Sequence, residues 1–222
     1  MQQTDKKYIF DLDGTLYSFA KTTHATFTQS VFYSDLKERI LAYITTTLQV
    51  DEDRAKEIFS QVNERFNGEL SIGFEKMYGI DRYAFYEATW NCQPKGYITI
   101  DPRLAEALAP FRGHALLLTA APHTWASRVL EHLDIADIFG ENIITGEPDV
   151  RKPDPAVFQQ AAKQLGVRPS NIVSIGDQNY SDILPAKSFG MTTILIGPDL
   201  LDAHHHAATI YDAINLIKEK SL

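Results

Sequence analysis

Two aspartates stand two residues apart, Asp11 and Asp13, behind the apolar run Tyr8-Ile9-Phe10 and ahead of Gly14-Thr15-Leu16. A buried strand that ends in this way delivers two carboxylates to the carboxyl edge of a sheet, where open α/β folds build their sites. Four further residues fall at the ends of apolar runs. Thr119 follows Ala115-Leu116-Leu117-Leu118, Lys152 stands in Arg151-Lys152-Pro153-Asp154-Pro155, and Asp177 and Asp182 follow Ile175-Gly176. In a doubly wound sheet these distant strand ends meet at one edge. Three or four carboxylates gathered there repel one another unless a cation sits among them. Mg²⁺, which takes hard oxygen ligands and keeps several waters, suits such a set. Zinc would want more Cys or His at ligand spacing. His204-His205-His206 does not supply that, because adjacent side chains do not converge, and it reads as a loop of surface histidines.

The elements that must position these residues can be read from periodicity. Residues 7–12 form a buried strand. A proline-free stretch follows, with helical periods over 23–33, 35–48, 51–66 and 81–90 and breaks near Asn67-Gly68 and Gly79. Helices are expected over 103–109, 124–132, 154–165, 182–188 and 208–219, and strands over 115–119, 142–145, 171–175 and 192–196. Asp154 is placed to cap its helix, with Pro155 in the first turn. Strands alternating with helices imply an α/β fold, a doubly wound and mostly parallel sheet covered on both faces. The all-helical stretch sits between the first strand and the rest, as an inserted lid. The expected division is a core of residues 1–17 and 95–222 and a helical domain of 18–94.

With 222 residues the chain can bury a substantial core. A formal charge of −8 argues against a nucleic-acid polymer as partner, since backbone binding needs a basic surface. It leaves a small anionic substrate open, because a local site can oppose the global charge. Cys92 is the single cysteine, which rules out an internal disulfide within the chain. The first residues lack an apolar stretch and no segment approaches membrane-spanning length, so neither a signal peptide nor a membrane partner is expected, and the cytoplasm is the expected location.

Taken in order, the motifs resemble those of the haloacid dehalogenase-like superfamily, whose core is Rossmann-like. Asp11-Leu12-Asp13-Gly14-Thr15 resembles its first motif and Thr119 its second; Lys152 before Pro-Asp-Pro resembles the third, and Gly176-Asp177 with Asp182 the fourth. The helical insertion is similar to the small cap of subfamily I. The resemblance implies a Mg²⁺-dependent phosphatase acting through an aspartyl-phosphate. Asp11 would be the nucleophile and Asp13 the general acid and base. Asp11, the main-chain carbonyl of Asp13, and Asp177 would hold Mg²⁺. Thr119 and the Ala120 N–H would bind phosphate, Lys152 would neutralise charge, Gly14 would permit a tight turn, and Asp182 would hold metal-bound water or orient Lys152. Four residues separate Asp177 from Asp182 where many members have three, so Ser181 is an alternative in register. An acid at the position of Asp13 favours phosphate esters, because dehalogenases of the superfamily lack it.

Substrate choice belongs to the cap. Leu16-Tyr17 and Lys76-Met77-Tyr78-Gly79 resemble the pyrimidine 5′-nucleotidase-like branch, while phosphoglycolate and sugar-phosphate phosphatases share the same four motifs. The expected substrate is a small phosphorylated metabolite, either a nucleoside monophosphate, phosphoglycolate or a sugar phosphate. The cap's many Phe, Tyr and Trp residues either stack on a base or pack a helical core. Lys21, His24, Arg65 and Arg82 are further candidates for an anionic group. His123 and Trp125, just past Thr119, are expected substrate contacts, and Tyr17, directly after the first motif, is a further candidate. Two alternatives stand beside hydrolysis. One is a phosphotransferase or phosphomutase of the same superfamily. The other is a noncatalytic phospho-acceptor signalling domain, which chain length and the helical insertion disfavour.

Overall fold

The computed structural model describes residues 6–19, 27–197 and 202–222. Strand β1 (Lys7–Phe10) leads into a 3₁₀ turn (Phe27–Gln29) and helices α1 (Val31–Leu48), α2 (Glu52–Arg65), α3 (Leu70–Tyr78) and α4 (Arg82–Trp90). The chain then runs through α5 (Arg103–Leu108), β2 (Ala115–Leu118), α6 (His123–His132), α7 (Ala136–Phe139), β3 (Ile143–Ile144) and α8 (Ala156–Leu165). It ends with β4 (Ile172–Gly176), a π-helical turn (Asn179–Ile183), α9 (Leu184–Ser188), β5 (Thr192–Ile196), β6 (His205–Ala207) and α10 (Ile210–Lys220). The six strands form one sheet in the order β3-β2-β1-β4-β5-β6, and every pairing is parallel.

Strand alternation sends successive side chains to opposite faces. Ile9, Leu116, Leu118 and Ile172 pack with Val157 and Phe158 of α8 on one face. Phe10, Leu117, Val173 and Ile175 pack on the other, with residues of α6, α10 and the helical insertion. Both faces are covered, as the apolar strands require. The fold is therefore a doubly wound parallel sheet with a helical insertion after the first strand. No helix among the described residues is long and apolar enough to cross a membrane.

Several elements differ from the sequence expectation. The periods 23–33 and 35–48 give way to one helix, α1, which starts where Ser30 caps it by accepting from the Tyr33 N–H at 3.0 Å. Ser34 lies inside that helix rather than at a break. Residues 20–26, including Lys21 and His24, lie outside the described residues. Helix α3, between the two expected breaks, and the short α7 were not anticipated. Gly73 lets α3 approach Val62 and Phe66 closely; a methyl there would overlap both side chains. The three histidines lie on and beside the edge strand β6 instead of forming a loop, and His204 Nδ1 accepts from the Thr193 N–H at 3.2 Å.

The aromatic residues of the insertion pack against one another and against the core. Phe32 lies 4.3 Å from the Trp125 ring centroid, with Trp90 and Tyr97 around it. Phe74 stacks on Phe85 at 5.4 Å. Of the two readings of these residues, packing is the one seen. Two buried arginines also join the insertion to the core, one from each side. Arg82 of α4 donates to the Glu147 carbonyl at 2.8 Å and pairs with Asp149 at 2.9 Å, and Arg151 pairs with Glu69 at 3.0 Å. Replacing the fully buried Phe32 by Ala should cost about 3–5 kcal/mol. Urea unfolding checks this, and a loss below about 1 kcal/mol would contradict the packing described.

Candidate active site

Each strand end carries its side chain one step past the strand while remaining on the hydrogen-bond ladder. The Asp11 N–H donates to the Ile175 carbonyl at 2.9 Å and the Thr119 N–H to that of Ile144 at 3.0 Å. The chain then turns sharply, with the Leu16 N–H reaching the Leu12 carbonyl at 3.0 Å. Gly14 takes a φ of +92°, which side chains rarely adopt, and a methyl there would overlap the Asp177 carboxylate. Within this turn the Thr15 hydroxyl donates to Asp11 Oδ2 at 2.8 Å.

Lys152 comes from the loop between β3 and α8. It is 3% exposed, and its Nζ lies 2.7 Å from Asp11 Oδ1 and 2.6 Å from Asp182 Oδ1. The loop itself is tied down by Glu147, whose carboxylate accepts from the His123 N–H at 2.6 Å and from the Thr145 hydroxyl.

Asp182 reaches Lys152 through the π-helical turn Asn179–Ile183. A π turn accommodates one more residue than an α turn, and such bulges recur at functional sites. The longer spacing from Asp177 is absorbed here, so Asp182 and not Ser181 meets the lysine. Ser181 instead donates to Gln178 Oε1 at 3.2 Å and to Asp182 Oδ1 at 3.3 Å. The Gln178 N–H donates to Asp182 Oδ2 at 2.9 Å. Gly176 leaves room for this side chain, since a methyl at that position would overlap it.

Oxygen atoms of Asp11, Asp177 and Asp182 lie within 4.8 Å of one another. Burial pushes the Asp11 carboxyl up to about 7, with Lys152 pulling against it and the Asp182 charge adding to it. Burial, and then repulsion from Asp11 and Asp182, pushes Asp177 up to about 9. Burial works against the charge on Lys152, but Asp11 and Asp182 more than offset it, so its pKa rises. Asp177 Oδ1 is buried without a hydrogen-bond partner. A buried, unpartnered carboxylate oxygen among like charges is the environment a hard cation relieves. Lys152 offsets one of the three negative charges, and a divalent ion would offset the other two. The residues present therefore fit Mg²⁺.

The Asp13 carboxyl is turned away from this cluster. Its Oδ1 accepts from the Tyr17 hydroxyl and from Trp125 Nε1 at 3.0 Å, while Thr119 Oγ1 stands 3.5 Å from Oδ2. Burial raises the Asp13 pKa against the pull of those donors. Tyr17 and Trp125, expected as substrate contacts, are instead buried with their polar atoms on Asp13. His123 is exposed at the first residue of α6, and Ala120 is exposed beside Thr119. The Thr119 hydroxyl also accepts from the Ala121 N–H at 3.0 Å. Arg82, expected as a possible contact for an anionic group, is occupied by Glu147, Asp149 and Glu75. Thr15, Glu147 and Arg151 were not singled out from the sequence. Of these only Thr15 carried a cue, its place in the turn just after Asp13.

Residues 6–190 match the haloacid dehalogenase-like hydrolase family. The chain is 28% identical over 202 residues to a glyceraldehyde 3-phosphate phosphatase of Methanopyrus kandleri, covering 86% of this chain and 83% of that protein. It is 27% identical over 203 residues to the phosphoglycolate phosphatase of Escherichia coli, covering 83% and 78%. In fold it is similar to a phosphatase structure from Thermococcus onnurineus, with a TM-score of 0.64 at 21% identity over 96% of this chain and 97% of that one. A dehalogenase from Pseudomonas syringae gives the same TM-score at 19% identity over 97% and 99%. With the family matched along most of its length and the four motifs assembled at one sheet edge, this enzyme belongs to the haloacid dehalogenase-like hydrolases.

Proposed function

We propose that the protein is a Mg²⁺-dependent phosphomonoester hydrolase acting on a small phosphorylated metabolite through an aspartyl-phosphate on Asp11. The observation that carries this is the unlike surroundings of the two aspartates. Asp11 is paired with a buried lysine, as a carboxylate that must approach a phosphate would be. Asp13 is paired with neutral donors, as a carboxyl that gives and takes a proton would be. Unlike partners, a cation for one acid and neutral donors for the other, assign the two different jobs.

In this reading an Asp11 oxygen attacks phosphorus while the bond from phosphorus to the leaving oxygen breaks. Asp13 gives its proton to that oxygen, and the alcohol departs. Asp13, now a carboxylate, takes a proton from a water whose oxygen attacks phosphorus. The bond between Asp11 and phosphorus breaks, which restores the carboxylate and frees inorganic phosphate. Lys152, the Thr119 hydroxyl and the Ala120 N–H bind the phosphoryl oxygens. Asp11, Asp177 and the Asp13 carbonyl would hold Mg²⁺, which when bound supplies the charge that lets a carboxylate approach an anionic ester. Asp182 orients Lys152. The limits 18–94 and 1–17 with 95–222 describe the cap and the core.

For the substrate, we favour a short phosphorylated acid, aldehyde or sugar over a nucleotide. The two curated relatives act, by name, on glyceraldehyde 3-phosphate and phosphoglycolate. The insertion's aromatic residues, moreover, are engaged in packing.

A phosphate-release screen with Mg²⁺ over phosphoglycolate, glyceraldehyde 3-phosphate, sugar phosphates and nucleoside monophosphates should show turnover highest among the short esters. Transfer to an added sugar in place of water would favour the phosphotransferase alternative. Asp11→Asn should abolish turnover with the fold intact by circular dichroism; near-wild-type hydrolysis of an aryl phosphate would exclude Asp11 as nucleophile. Mg²⁺ at a hundredfold its Kd should stabilise the wild type by about 2.7 kcal/mol, read as a raised Tm. Asp177→Asn should lose most of that shift, and chelation should end activity.

A further inference from the structure

The chemistry assigned to Asp13 leaves open what aims its carboxyl. Of the four motifs only Thr119 reaches the carboxyl, at a long 3.5 Å from Oδ2, and the turn that carries Asp13 cannot do it alone, because a carboxyl rotates about its own side-chain bonds. Two buried groups converge on a single oxygen. Asp13 Oδ1 accepts from the Tyr17 hydroxyl and from the Trp125 indole N–H at 3.0 Å, and the same indole N–H lies 3.3 Å from the Tyr17 oxygen. Tyr17 is 9% exposed and Trp125 0%, so neither polar atom is open to bulk water. A tyrosine hydroxyl carries its proton at neutral pH and can donate it. An indole N–H can only donate.

We propose that Tyr17 and Trp125 are positioning residues for Asp13: by occupying Oδ1 they fix the carboxyl's rotation and leave Oδ2 as the atom that gives and takes the proton. This rests on the reading of Asp13 as general acid. The opposite oxygen is the less engaged one, with the Thr119 hydroxyl at 3.5 Å, and Thr119 stands beside the proposed phosphate site. In the proton transfer the Oδ2–H bond breaks as the new O–H bond forms on the departing oxygen. Oδ1 keeps both hydrogen bonds throughout.

The source of Trp125's own orientation extends the inference. Its ring lies against Phe32 of α1 at 4.3 Å, Phe19 at 6.2 Å and Trp90 of α4 at 6.4 Å. The helical insertion therefore packs against the residue that holds the acid.

The test compares leaving groups on the full chain with Mg²⁺. General acid catalysis contributes about 10²–10⁴-fold, and it matters most when the leaving group is a poor one. Tyr17→Phe keeps its ring and loses only the donor; Trp125→Phe loses the donor and exchanges the indole for a smaller aromatic ring. Each should lower kcat/KM for β-glycerol phosphate by about tenfold, and for p-nitrophenyl phosphate by less than about threefold. Asp13→Asn should show the same selectivity more strongly. A loss of similar size on both substrates, which is what a merely structural role gives, would overturn the positioning role. So would no loss on either. If Asp13→Asn is selective and the two donor variants are not, the general-acid reading stands and the positioning inference falls. If Asp13→Asn is itself unselective, both fall. Should Trp125→Phe fail to fold, Tyr17→Phe decides alone, since it deletes one oxygen and keeps the ring.

Discussion

A lysine ammonium buried between two aspartates is the interaction on which the rest of this architecture depends. Lys152 is drawn out of water almost completely, and its hydration is replaced by Asp11 on one side and Asp182 on the other. Removing one partner of such a buried pair costs about 3–5 kcal/mol, because the remaining charge is stranded. The three groups come from β1, from the loop after β3 and from the turn after β4. They can meet only if β1 lies beside β4 in the sheet and the lysine loop folds back over the strand ends. The strand order and the helices on both faces are thus the frame that a three-way ionic contact requires. Asp177, brought close but left with an unpartnered oxygen, shows that the frame carries more negative charge than its own lysine can balance.

The insertion is fastened to this frame by two kinds of contact. Aromatic rings of α1 and α4 meet Trp125 at the start of α6, just past Thr119. Arg82 and Arg151 reach across in opposite directions and grip either side of the loop that leads into Lys152. Carboxylates and guanidinium groups in a partly desolvated seam give orientation as well as energy. A shift of the helical insertion would be felt both at the lysine loop and at the side of Asp13.

Much of this was legible before any coordinates. The apolar strand runs and the acids just past them predicted the parallel sheet and the approach of Asp11 to Asp177, while Lys152, in the loop after β3, and Asp182, in the turn after β4, were read from the order of the motifs. Strand ends read well because a buried strand needs an unbroken apolar run, and a polar residue beyond it stands out. What escaped depends on contacts with no local pattern. The periods 23–33 and 35–48 read as two helices, but α1 runs through their junction from the capping Ser30. Helix α3 has no side-chain cap and contains a glycine, which its packing on Val62 and Phe66 explains. Tyr17 and Trp125 were read as substrate contacts, but their polar atoms converge on Asp13, and for Trp125 that partner lies 112 residues away in the chain. The role of Glu147 is invisible in sequence, since the two partners of its carboxylate are a backbone N–H and a neighbouring threonine.

The widened turn between Asp177 and Asp182 also bears on how the chain can change over time. An insertion in an active-site loop is ordinarily expected to displace every charge downstream of it. Here the added length goes into the girth of one helical turn, and the carboxylate still arrives at its lysine. The distance between two functional residues along a chain is thus a poor ruler for their distance in space wherever a helix can swell to take up the slack.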